Sequence, residues 1–168
     1  MIAIVEANDQ HIPLIQEIAY QTWPITFGTI LSTEQIDYML EMMYSTTSLQ
    51  KQIRDLGHLF LLANDVNGSS LGFISYETHF KGKNQTKIHK IYILPTAQGM
   101  GIGRKLMEAV EIAAREQGDE QLLLNVNKYN DAEQFYQHLG FRVSKMENID
   151  IGNGFLMEDK VMAKHLVK

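Results

Sequence analysis

Ile91-Tyr92-Ile93-Leu94-Pro95-Thr96-Ala97-Gln98-Gly99-Met100-Gly101-Ile102-Gly103-Arg104 reads as a strand, a proline stop, a glycine-rich turn and the first turn of a helix. Ile102, Leu106, Ala109, Val110 and Ala113 continue that helix as an apolar stripe that ends before Gly118. Glycines at such a junction let backbone N–H groups approach a ligand with no Cβ in the way. The helix N-terminus adds a partial positive charge, so an anion is the straightforward occupant. A tight strand-to-helix turn with no ligand is the alternative. A nucleotide phosphate loop is excluded, because no Lys-Ser/Thr follows Gly103. The spacing Gly99-x-Gly101-x-Gly103 also departs from the dinucleotide fingerprint, and Asp119 and Glu120, at about the distance of a ribose acid, fall in the polar turn after the helix.

Working outward, Ala3–Val5 predicts a first strand, and Asn8 or Asp9 can cap a helix carrying Ile12, Ile15, Ile18 and Ala19. Trp23-Pro24 is expected to break it. Ser32-x-x-Gln35 opens a second helix as a capping box, and a third runs over about 48–56 to Gly57. Strands follow at 59–63, 71–78 and 87–94, then the helix from Ile102 and a buried strand at 121–126. A short helix around Ala132–Leu139, capped by Gly140, precedes two last strands near 141–149 and 155–165. The order β-α-α-α-β-β-β-α-β-α-β-β describes a mixed α/β sandwich around one central sheet, expected as a single domain over 1–168.

The 168 residues carry a formal net charge of −5, 45% apolar residues and no cysteine. The missing cysteine excludes a disulfide scaffold, a thiolate nucleophile and a cysteine metal site. An acidic balance without a basic block argues against nucleic acid, and no apolar run reaches bilayer length. The opening MIAIVEANDQ has no basic n-region, which points to a cytoplasmic protein.

Two motifs now carry a resemblance. Gln98-x-x-Gly101-x-Gly103 after the 91–95 strand resembles the acyl-CoA signature of the GCN5-related N-acetyltransferases (GNAT). Asn130-x-x-x-x-Phe135-Tyr136-x-x-x-Gly140-Phe141, with Ala132 as its small residue, is similar to that family's downstream block. The element order fits over nearly the whole chain. The resemblance implies acetyl transfer from acetyl-CoA straight to a primary amine, with no acyl-enzyme; no metal is expected, because no histidine pair has metal-ligand spacing with a carboxylate. It assigns the pyrophosphate to the N–H groups of Gln98, Gly99, Met100, Gly101, Ile102, Gly103 and Arg104. The pantetheine arm falls to main-chain groups of Ile91 and Ile93, and Asn130 to the thiol end. Tyr136 matches the family's general acid, since a phenol with a pKa of about 10 keeps its proton at neutral pH.

His89 stands where many members carry a glutamate. It reads either as the base that takes the ammonium proton or as a strand histidine satisfied by a carbonyl. In a simple hairpin Glu77 would oppose it. The other histidines, His11, His58, His79, His138 and His165, are expected at the surface or on edges, and Phe135 in the core. Trp23 reads as core packing or as a wall of the amine site. Lys81, Lys83, Lys87 and Lys90 read as a solvated hairpin run. Acceptor choice is expected from the Trp23–Met43 region and the hairpins. The expected acceptor is a small amine or polyamine, and a homodimer is allowed. The alternatives are a protein N-terminal or lysyl acetyltransferase and a non-catalytic acyl-CoA-binding module.

Overall fold

The computed structural model describes residues 1–166; the single-domain expectation over 1–168 therefore has its last two residues outside the described ones. The strands are β1 (Ala3–Ala7), β2 (Leu59–Asn64), β3 (Ser70–Glu77), β4 (Gln85–Ile93), β5 (Gln121–Asn127), β6 (Arg142–Gly152) and β7 (Phe155–His165). The helices are α1 (Ile12–Phe27), α2 (Thr33–Tyr44), α3 (Thr46–Arg54), α4 (Ile102–Glu116) and α5 (Glu133–His138). Element order matches the expectation, and the hydrogen-bonded strand order is β1-β2-β3-β4-β5-β7-β6. The fold is thus mixed α/β, with the parallel β4–β5 pair among antiparallel neighbours. Among the described residues no helix is long and apolar enough to cross a membrane.

Backbone contacts group the chain into two compact units. The first holds Met1–Glu77 and Lys90–Val110. Its strands β1, β2 and β3 pair antiparallel, and Gly72 lets β3 come close to β4, since a Cβ there would stand 2.9 Å from the Tyr92 carbonyl oxygen. Trp23, Phe27, Tyr44, Phe60, Phe73 and Tyr92 form its aromatic core, with ring centroids 4.5–6.2 Å apart. That core corrects one expectation. The first helix runs through Pro24 to Phe27 because Trp23 and Phe27 pack on one face, and the burial outweighs the hydrogen bond that proline removes. Short polar side chains start α2 and α3: Ser32 Oγ accepts from Gln35 N–H at 3.1 Å and Ser45 Oγ from Ser48 N–H at 3.2 Å.

The second unit holds Thr78–His89 and Glu111–Lys168. The described parallel ladder between β4 and β5 covers Gln85↔Gln121 to Ile88↔Leu124. Strand β5 pairs along its length with β7, and β7 with β6 in a long hairpin. Leu122, Leu124 and Val126 alternate inward along β5, and Tyr136 and Phe141 join the buried side chains of this unit.

Candidate active site

The glycine turn lies in the first unit. Gly99 and Gly101 have φ of 83° and 74°, and a Cβ at either would meet nothing within 4 Å. The left-handed backbone is therefore required by the turn itself and not by crowding. Gly101 O accepts from Lys105 N–H at 3.2 Å, which starts α4, and buried Ile102 anchors the helix end. The N–H groups of Gly99, Met100, Gly101, Ile102, Gly103 and Arg104 donate to none of the described residues. These consecutive free donors sit at a helix N-terminus where Gly99, Met100, Gly101 and Arg104 are exposed, which is the chemistry of an anion cradle. Gln98 is the exception among the expected donors, since its N–H reaches Pro95 O at 3.5 Å. Ile91 and Ile93 lie half-buried on β4 just upstream.

Tyr136 and Asn130 lie on one segment of the second unit. Asn130 Oδ1 accepts from Ala132 N–H at 3.0 Å, so its carbonyl shapes the entry to α5 and leaves its amide N–H groups for other partners. The Tyr136 ring is buried edge-on to Phe135 and Phe141, at 5.4 and 6.0 Å between centroids. Its hydroxyl has no hydrogen-bond partner among the described residues, and burial pushes the phenol well above its ordinary pKa. That group is held in its donor form. His89 is half-buried on β4, with its ring edge-on to Phe80 at 5.8 Å.

Several residues differ from expectation. Phe135 is 38% exposed and so is no core residue, because the six residues of α5 bury only Tyr136. Trp23, by contrast, follows the core-packing alternative: it is buried, donates to Tyr44 OH at 3.4 Å and belongs to the aromatic core. Lys90 is buried rather than solvated: its Nζ donates to Gln52 Oε1 at 2.7 Å and sits 5.6 and 5.8 Å from the centroids of Tyr44 and Phe60. With no carboxylate beside it, burial lowers its pKa to about 8. His58 is largely buried, with Nε2 3.5 Å from Glu77 Oε1. In the second unit Asp119 is buried and holds the 78–86 loop. Thr86 Oγ1 and His79 N–H donate to its Oδ2 at 2.6 and 3.0 Å, and His79 Nδ1 lies 2.9 Å from Oδ1.

Sequence reasoning missed Asp159 altogether. It is 6% exposed on β7; its Oδ2 accepts from Asn125 Nδ2 at 3.1 Å, and its Oδ1 is buried with no donor. Asn125 Oδ1 in turn accepts from Lys87 Nζ. The alternation of the hairpin was the one signal available, and it could not tell which face is covered.

The acetyltransferase (GNAT) domain family model matches residues 29–159. The chain is 27% identical to a spermidine N(1)-acetyltransferase of Thermoplasma acidophilum, covering 95% of this chain and 97% of that protein. It is 31% identical to the L-amino acid N-acyltransferase MnaT of Escherichia coli over 55% of this chain and 56% of that one. Among solved structures, the PaiA N-acetyltransferase of Thermoplasma acidophilum in complex with coenzyme A superposes with a TM-score of 0.81. That likeness covers 99% of each chain at 24% identity and is one of fold.

Proposed function

Since the chain belongs to the GNAT N-acetyltransferase family, we propose that it moves an acetyl group from acetyl-CoA directly to the nitrogen of a primary amine, a small amine or polyamine. The observation that carries this reading is the run of free N–H donors from Gly99 to Arg104 at the start of α4. Those donors suit a pyrophosphate, and Ile91 and Ile93 offer main-chain groups to the pantetheine arm. Asn130, its carbonyl engaged, has amide N–H groups left for the thiol end. The whole described chain, 1–166, is taken as one acetyltransferase domain.

The amine nitrogen bonds to the thioester carbonyl carbon, the C–S bond breaks, and the sulfur leaves with its electron pair. Tyr136 gives that sulfur a proton: its hydroxyl has no partner among the described residues and keeps its proton at neutral pH. His89 takes the proton that the acceptor ammonium must lose. Two protons leave the nitrogen between ammonium and amide: His89 takes the first, and the second is lost as the tetrahedral adduct collapses. The sulfur gains one by way of Tyr136, and one proton is released to solvent per turnover.

Release of CoA thiol from acetyl-CoA, measured over a panel of small aliphatic amines and of peptides, tests the acceptor class. Turnover on the small amines is expected. Turnover on peptides alone would replace the acceptor class, and acetyl-CoA binding with no turnover on any amine would leave a binding module.

A further inference from the structure

Acceptor choice is expected in part from the hairpins, and one face of the β6–β7 hairpin gathers carboxylates. Cross-strand partners share a face, and Asn127, Asp159 and Glu147 stand opposite one another on β5, β7 and β6. The neighbouring rung on that face carries Asn125, Val161 and Lys145, and Lys87 reaches it from β4. On the other side of Asp159 comes the rung Ile149↔Met157, about 7 Å further along the strands.

Asp159 is the anomaly here. A carboxylate that is 94% buried normally has every oxygen satisfied, yet its Oδ1 meets no donor. Lys87 does not supply one: it is engaged with Asn125 Oδ1, and no ion pair joins it to Asp159 among the described residues. Burial raises the Asp159 pKa, the Asn125 bond and Lys87 lower it, and the nearby Glu147 charge raises it again. The groups on its face are therefore the amides of Asn125 and Asn127, the engaged ammonium of Lys87, Lys145 one rung away and a second carboxylate, Glu147.

We propose that Asp159, supported by Glu147, binds the ammonium of an aliphatic diamine or polyamine acceptor whose methylene chain lies along Ile149 and Met157. A cation gives Oδ1 the missing donor and relieves the repulsion between the two acids. The apolar rung beside them selects a hydrocarbon spacer over a polar one. The acceptor's role in this proposal rests on the acetyl-transfer reading, whereas cation binding does not.

Calorimetric titration of putrescine into the full chain separates the two. Wild type should bind it with an affinity that falls as salt is added, and Asp159→Asn should lose about tenfold or more. Glu147→Gln, at a half-exposed position that keeps the fold, should lose a few-fold. In turnover, Asp159→Asn should raise KM for putrescine far more than it lowers kcat. No putrescine binding by wild type, or equal affinity in wild type and a folded Asp159→Asn, would overturn the proposal. If Asp159→Asn does not fold, unchanged affinity in Glu147→Gln overturns it. Binding that needs Asp159 without any acetylated product would sustain the site and sink the acetyl-transfer reading.

Discussion

At the scale of single residues, Tyr136 and Lys90 show how burial sets a protonation state. Tyr136 is kept as a phenol by its apolar surroundings, and Phe135 and Phe141 fix its ring. Tyr136→Phe removes only the oxygen. It is expected to lower turnover by about 10²–10⁴ while acetyl-CoA affinity stays nearly constant. Initial rates alongside acetyl-CoA titration check it, and an unchanged rate removes Tyr136 as the acid. Lys90 is destabilising where it is charged. Its pKa is about 8 in the folded chain against an ordinary 10.5, so below pH 8 both states are protonated and the full cost, on the order of 3 kcal/mol, applies. Between pH 8 and 10.5 the folded state has lost the proton that the unfolded state retains, and stability climbs with pH. The stability of Lys90→Met relative to wild type should therefore decline across that window when both are unfolded with urea. A constant difference would mean that the ammonium is not desolvated. Neither Lys90 nor Asp119 was legible as a buried residue in the sequence. Their partners, Gln52 for one and Thr86 and His79 for the other, lie 33–40 residues away and are brought in only by packing.

At the scale of elements, the turn between β4 and α4 needs positive φ at Gly99 and Gly101 but no extra room. Gly101→Ala should cost about 1–2 kcal/mol of stability from the left-handed backbone. It should also weaken acetyl-CoA binding about tenfold, because the new methyl stands on the donor-lined surface. Gly57→Ala is a matched control: its φ is 72°, its Cβ likewise meets nothing within 4 Å, and it lies just past the end of α3. It should lose comparable stability and no acetyl-CoA affinity, and equal affinity losses in the two variants would remove the cradle. Strands and capped helices were legible because period-2 alternation, Ser32 and the glycine stops are local signals. The continuation of α1 through Pro24 was not, since it depends on an aromatic core assembled from α1, α2, β2, β3 and β4.

At the scale of the molecule, family membership rests on a match over residues 29–159, and the two motifs that suggested it fall in different compact units. The donor-side motif was readable because glycine and a helix start are chemistry written in sequence order. The cation site proposed for the acceptor was not, since Asp159, Asn125 and Glu147 belong to three strands and share a face only through the β5–β7–β6 register. The central claim is direct transfer of acetyl to an amine. Incubating the full chain with acetyl-CoA and putrescine, and quantifying CoA thiol and acetylated diamine in the same sample, tests it most directly. Equal molar amounts of the two products, with no acetate, are predicted; acetyl-CoA bound but unconsumed, or CoA released with acetate in place of the amide, would contradict it.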